Sequence, residues 1–261
     1  LSWVISAKTI LYAGFLIIGG RLADVIGQRT GLFLGIAVFA AGSLLAGFAT
    51  NLPVLIVARM LQGLGGALLS PASFSLINTL IPAGPHRIRA LSVFGLIQGV
   101  SMFLALAMGG ALTTYAGWRS IFFVNVVFIV AALLLTARFV PAIDRSGRPR
   151  RSLDIPGALL ISGAVGSLFV AISMVTRHGL LSAPALSAYA GMAVCSALFF
   201  LVERRSSDPL VPMSVFRAPN LRGSAAAMLG MVAGTGGIVV MSNLYMQQRL
   251  GFSPMFSGLG I

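Results

Sequence analysis

Carboxylates are almost missing from this chain. Asp24, Asp144, Asp154, Glu203 and Asp208 are the only five in 261 residues, and charged residues of both signs make up 9%, against about 25% in an average soluble domain. So few charges cannot supply the polar shell that a globular fold of this length needs. Cysteine is reduced to Cys195, inside an apolar run, which excludes an intrachain disulfide and a cysteine-based metal cluster. Lysine is reduced to Lys8. Ten-residue segments of alternating polarity are missing too, which argues against a β-barrel. His86 and His178 stand alone, and neither a nucleophile–base pair nor a metal-spaced set is visible. Nothing in the residues points to an enzyme or to a cofactor site.

What remains is apolar. Hydrophobic residues make up 57% of the chain, in several runs that reach the 18 or more needed to cross a bilayer. The expected class is an all-α polytopic membrane protein with about eight transmembrane helices, roughly at 3–20, 31–50, 53–80, 89–114, 119–138, 156–176, 184–202 and 223–246. The chain opens directly in an apolar segment without a basic leader, so no cleavable signal peptide is read. That opening, and the equally abrupt end at Gly260-Ile261, suggest a fragment of a longer protein.

A net charge of +13 would point to nucleic acid in a soluble protein. Its placement points elsewhere. The first, third, fifth and seventh connections carry thirteen arginines, from Arg21 and Arg29 to Arg217 and Arg222, and the remaining ones carry three, Arg119, Arg177 and Arg249. By the positive-inside rule the odd connections face the cytoplasm and both chain ends face outward. Arginines strung along a membrane face do not form a nucleic-acid patch. The arginine-rich, lysine-poor, Ala/Gly-heavy makeup hints at a GC-rich bacterium and hence at an inner-membrane location.

The stretch Gly20-Arg21-Leu22-Ala23-Asp24-Val25-Ile26-Gly27-Gln28-Arg29 reads as a short charged loop between two spans, held at a water interface. Its glycines allow a tight turn, and Asp24 is an acceptor for Arg21, for Arg29 or for the first N–H groups of the next helix. Arg59 is the most informative single residue, because a charge near mid-membrane costs about 3 kcal/mol on insertion scales. Gln62, Gly63 and Gly66 follow it on the same helical face, so a polar site with room opened by glycine is expected there. Lys8, close to the chain start, reads as a cation that snorkels outward, with contact to substrate as the alternative. Small residues line several spans: Gly31, Gly35, Gly42 and Ala46 in the second, Gly95 and Gly99 in the fourth, Gly223, Ala227, Gly230, Gly234 and Gly237 in the last. In lipid such stripes let backbones approach. Gly63-Leu64-Gly65-Gly66 and Gly234-Thr235-Gly236-Gly237 superficially resemble phosphate loops, but they sit inside apolar helices with no Lys-Ser/Thr after them.

These patches are collinear with a known pattern. Gly20 to Arg29 resembles the cytoplasmic signature between the second and third helices of the major facilitator superfamily, and Leu55-x3-Arg59-x2-Gln62-Gly63-x-Gly65-Gly66-Ala67 resembles its fourth-helix arginine motif. Gly117-Trp118-Arg119 with Phe122 and Asn125, then Leu153-Asp154-Ile155-Pro156-Gly157-Ala158, Pro209-Leu210 with Phe216-Arg217, and Tyr245-x-Gln247-Gln248-x2-Gly251-x-Ser253-Pro254-x3-Ser257-Gly258 are similar to the 14-helix drug:proton antiporter branch, the EmrB/QacA type. The resemblance places the chain at roughly family helices two to nine. It implies an N-terminal helix bundle at 1–140 (family helices two to six), a cytoplasmic linker with an extra central helix pair at 141–205, and the start of a C-terminal bundle at 206–261.

The resemblance further implies alternating access. Gly20, Arg21, Asp24, Gly27 and Arg29 would form a conformational-switch motif between bundles, Arg59, Gln62, Gly63 and Gly66 would tune proton coupling or line the cavity, and Gly95, Gly99, Gly109 and Gly110 would serve helix packing. The family's fifth-helix Gly-Pro-x-x-Gly-Gly here reads Ala105-Leu106-Ala107-Met108-Gly109-Gly110, so the proline kink is lost. The five acids all fall in connections or at helix ends, so a proton-carrying carboxylate is expected in the parts not covered. The function expected is proton-coupled export of amphipathic cationic or neutral toxic compounds, powered by the proton gradient. The partners implied are a small-molecule substrate, protons and the lipid bilayer, with a periplasmic adaptor as a further candidate. A non-transporting remnant, and a facilitator with a different small-molecule substrate, stay open as alternatives.

Overall fold

The computed structural model of the chain describes residues 2–141, 154–206, 209–210 and 219–252. Among them the backbone forms eight α-helices and no strand: α1 (Ser2–Ile26), α2 (Gln28–Gly47), α3 (Leu52–Leu80), α4 (Pro85–Ala116), α5 (Ser120–Phe139), α6 (Ile155–His178), α7 (Ala183–Arg205) and α8 (Pro219–Gln248). The arginine-rich stretch at 142–153, the Phe216-Arg217 pair and the Ser253–Gly258 end of the last motif lie outside the described residues. Every expected span has its helix, and among the described residues seven are long and apolar enough to cross a membrane. In α8 the apolar run among the described residues is Gly223–Thr235. The fold is that of an all-α, multi-pass membrane protein.

The charged stretch is not a loop. Helix α1 continues through Gly20, Arg21 and Asp24 to Ile26, and α2 begins at Gln28. Only Gly27 leaves helical geometry, at φ 100°, a region that favours glycine. The Gly27 N–H still donates to the Ala23 carbonyl (2.9 Å), and the Gly31 N–H donates to the Gly27 carbonyl (2.8 Å). The helical ladder therefore closes on both sides of a one-residue corner. No residue before Gly27 breaks a helix, and Arg21 and Asp24, three apart, share a face.

The described helices fall into two compact units. One comprises Leu1–Leu80 and Phe122–Leu210, the other Ile81–Ile121 and Val211–Ile261. In the first, glycines set the spacing between helices. Parallel neighbours α1 and α3 meet where a Cβ on Gly63 would lie 2.4 Å from the Lys8 carbonyl oxygen and one on Gly19 would lie 2.1 Å from the Ala67 carbonyl oxygen. That Ala67 carbonyl is the acceptor that Pro71, four residues on inside α3, leaves without an intrahelical donor. Antiparallel α2 and α3 meet where a Cβ on Gly65 would lie 2.6 Å from the Phe39 backbone nitrogen and one on Gly42 would lie 2.8 Å from the Ala58 carbonyl oxygen. The α2 stripe of Gly31, Gly35, Gly42 and Ala46 is buried throughout.

Around these approaches, Ala23, Leu32 and Ala72 form a small apolar cluster at the Gly27 end. Ala46, Ala58 and Phe122 form a second at the other end. Helix α5 runs antiparallel to α2: Phe123 stacks edge-on against Phe48 at 5.3 Å, and Arg29 donates to the Ala137 carbonyl at 3.4 Å. Helices α6 and α7 form an antiparallel pair, capped at the start of α6 by Asp154, whose carboxylate accepts from the Gly157 N–H at 3.3 Å. Pro156 sits in the first turn of α6, where its missing N–H costs nothing. The pair docks on α1 through Ser162, whose hydroxyl donates to the Gly14 carbonyl.

The second unit holds α4 and α8. Gly84 at φ 147° precedes α4 and Gly117 at φ 78° follows it, with Pro85 at the first helical position. A Cβ on Gly95, Gly99, Gly109, Gly223, Gly230, Gly234 or Gly237 would meet nothing within 4 Å. The expected packing role of Gly95, Gly99 and Gly109 therefore has no partner among the described residues, while Gly110 is buried.

Because Gly65 faces backbone rather than a movable side chain, Gly65→Val in the full-length gene product is expected to lower the thermal midpoint of the detergent-solubilised protein by several degrees, overpacking of this kind costing about 1–3 kcal/mol or more. An unchanged midpoint would mean that α2 and α3 do not approach so closely.

Candidate functional site

Arg59 lies seven residues into α3, about 10 Å along the helix, and half-buries its guanidinium. Three groups hold it. Its Nη1 donates to Gln62 Oε1 at 3.2 Å, one turn further on. Gln62 Nε2 in turn donates to Ser43 Oγ of α2 at 2.9 Å. Phe122, at the start of α5, lies flat against the cation with its ring centroid 4.9 Å from Cζ, within the range of a cation–π attraction. Ser43 and Gln62 are fully buried, at 0% and 1% exposure, and Phe122 nearly so. Each polar atom of the Gln62 side chain therefore has a partner, the condition under which a buried amide is tolerated. Arg59 Nε is buried with no hydrogen-bond partner in the structure.

The open side of Arg59 faces a cleft of about 410 Å³ lined by Lys8, Thr9, Tyr12 and Arg59. Lys8 was expected to snorkel away from the bundle; instead its side chain shares this cleft. Gly63 and Gly66 do not open room, as their place in the motif led one to expect. Gly63 receives the Lys8 backbone, and a Cβ on Gly66 would lie 3.1 Å from the Tyr12 ring. Their effect is to bring α1 against α3, and that approach sets Lys8 and Tyr12 beside Arg59.

The second group of singled-out residues sits at the corner between α1 and α2. Arg21 is buried at 8% exposure and Asp24 is half-buried. Gln28, also buried, donates to Ser75 Oγ of α3 at 3.3 Å. Arg29 reaches the Ala137 carbonyl and lies 5.6 Å from the centroid of Phe33. Gly20 faces Pro71, with a Cβ there 3.4 Å from the proline ring. Corner and cleft are separate sites: Lys8 and Asp24 are sixteen residues apart on one helix, about 24 Å at 1.5 Å per residue.

Sequence reasoning found Arg59 and Gln62, singled out Phe122 within a motif but not beside Arg59, and missed Ser43 and Tyr12. Ser43 follows Gly42 on the buried face of α2, a usable signal. Phe122 belongs to the motif opened by Gly117-Trp118-Arg119, but nothing in that segment places its ring against Arg59. Among the described residues no three histidines, cysteines or acids come together.

The family model of the Major Facilitator Superfamily matches residues 1–261. The chain belongs to that superfamily. It is 35% identical to the cephamycin export protein of Amycolatopsis lactamdurans over 100% of this chain and 54% of that protein. It is 36% identical to the puromycin resistance protein of Streptomyces alboniger over 98% of this chain and 50% of that protein, and 31% identical to the multidrug resistance protein Stp of Mycobacterium tuberculosis over 100% of this chain and 48% of that protein. The chain thus spans about half the length of the curated relatives it matches.

The Gln62 bridge can be tested directly. Gln62→Leu strands the Ser43 hydroxyl and the Arg59 guanidinium, and is expected to cost about 1–3 kcal/mol of stability. Combined with Ser43→Ala it should cost less than the two single changes together, with a coupling of about 0.5–3 kcal/mol, read from thermal or denaturant unfolding in mild detergent. Strictly additive costs would show that the two side chains do not share a bond.

Proposed function

We propose that this chain is the substrate-handling and switching part of a proton-coupled exporter of amphipathic toxic compounds, working by alternating access. The observation that carries the reading is the partnered cation inside a span: Arg59, braced by Gln62, Ser43 and Phe122, opens onto a cleft within a bundle of membrane-crossing helices. Intramembrane cations are costly and are kept where they serve a pathway. Relatives named as export and resistance proteins, similar along the whole chain, support the same reading. Two helix bundles would rock around a central site, and the α1–α2 corner, with Arg21, Asp24 and Arg29 around Gly27, would act as the latch that holds one state and releases the other.

The finer placement follows the motifs. The 14-helix branch and a position at family helices two to nine fit the α6–α7 pair and the connection before it. The three-part division at 140 and 205, the packing role of Gly95, Gly99, Gly109 and Gly110 towards helices beyond the described residues, and a proton-carrying acid outside this chain belong to the same proposal. So do a bacterial inner-membrane location with the arginine-rich connections in the cytoplasm and, as a further partner, a periplasmic adaptor. The loss of the fifth-helix Gly-Pro favours the reading of a chain that no longer transports.

Efflux of a fluorescent dye from energised cells carrying the full-length gene decides between them. Protonophore-sensitive efflux is expected, lost in Asp24→Asn while the variant still reaches the membrane, and lowered more by Arg59→Ala than by Arg59→Lys. Unchanged efflux in Asp24→Asn would remove the latch. A tag placed after Arg151 should be inaccessible from outside intact cells; labelling there would reverse the orientation.

A further inference from the structure

Among the described residues, the cleft beside Arg59 holds two cations and no acid. Lys8 and Arg59 line it together with Thr9 and Tyr12. Of the five N–H donors that a guanidinium carries, a single one, on Nη1, is used among the described residues, on Gln62. The described carboxylates are elsewhere. Asp24 lies about 24 Å along α1 from Lys8. Asp154 and Glu203 sit beside Gly157 at the start of α6 and the end of α7. Gly14 meets Ser162 while Ile10 meets Gly166, so α6 runs antiparallel to α1, and the start of α6 lies towards the Gly27 end. Every described acid is therefore at the end of the unit opposite the cleft. The remaining two, Asp144 and Asp208, fall in connections.

Two like charges sharing one small space in a membrane bundle repel each other, and no described carboxylate neutralises them. One anion between them removes both penalties, and a carboxylate suits the pair, since a guanidinium offers parallel donors and an ammonium a mobile point charge. The Tyr12 ring, held against Gly66, and the Thr9 side chain supply one flat apolar wall and one hydroxyl beside that position.

We infer that the Lys8–Arg59 cleft binds the carboxylate of an amphipathic substrate, so that the compounds carried include acids rather than only cations and neutral molecules. The inference rests on the exporter reading for transport, but the binding step stands by itself. The acid could in principle come from the rest of the full-length protein, and the experiment separates that source from a substrate.

The test uses the purified full-length gene product in mild detergent and a matched pair of probes, dansyl-phenylalanine, which carries a carboxylate, and dansyl-phenylalaninamide, which does not. Dansyl fluorescence reports binding. The wild type should bind the acid at least tenfold more tightly than the amide. In Lys8→Gln the ratio should fall towards one, and in Lys8→Arg it should be retained. Equal or weaker binding of the acid by the wild type, a measurement that needs no variant, overturns the inference. So does a Lys8→Gln change that weakens both probes alike, because an internal acid would then be the partner of Lys8. Dye efflux by the same gene is scored separately. Lys8-dependent preference for the acid without efflux keeps this site and removes the exporter; protonophore-sensitive efflux without that preference keeps the exporter and removes the site.

Discussion

Helix α3 is approached by backbone from two sides within a single turn. Gly63 meets the carbonyl of Lys8 on one side, and two residues on Gly65 meets the amide nitrogen of Phe39 on the other. Lipid offers no hydrophobic reward for bringing helices together, so association depends on close van der Waals contact, and close contact here depends on the lack of two side chains. The rest of the first unit follows. With α1 seated on Gly63, Gly66 and Ala67, the Lys8 and Tyr12 side chains reach the Arg59 cleft. With α2 seated on Gly65 and Ala58, the Ser43 hydroxyl reaches Gln62. The glycine run that superficially resembles a phosphate loop is the seam on which three helices meet.

That seam also solves a charge problem. A guanidinium inside a span needs partners that do not come from water, and Arg59 finds them on three elements: Gln62 on its own helix, Ser43 behind Gln62 on α2, and the face of Phe122 on α5. The polar chain uses both ends of the Gln62 amide, so that buried amide is satisfied, while Arg59 Nε stays buried without a hydrogen-bond partner. Helix α1 then joins two differently charged regions. Near its start it brings Lys8 to the cleft; near its end it carries Arg21 and Asp24 to the corner at Gly27. The two regions are joined by continuous helix, since α1 is unbroken from Ser2 to Ile26 and its hydrogen bonds continue across Gly27.

The fold was largely legible in the residues, since runs of apolar side chains near 20 residues allow little besides spanning helices. All eight helices lie where hydropathy places them, with ends shifted by a few residues. One reading needed correction for a local reason. Charge was taken as a sign of a loop at Gly20–Arg29, whereas arginine and aspartate are acceptable in a helix whose end reaches the interface, and only Gly27 leaves it.

Sequence by itself determined the membrane class, the helix order, the arginine distribution and the presence of a cation with an amide partner on one face of α3. These follow from the composition and spacing of neighbouring residues, which act over one or two helical turns. Tertiary structure alone decided that Lys8 turns towards Arg59, that Phe122 and Ser43 complete its surroundings, and that Gly63 and Gly66 receive α1 instead of opening a cavity. Those residues come from four helices, up to more than a hundred positions apart. No periodicity within a segment encodes which neighbour will lie against it; that is set by which backbones can approach most closely.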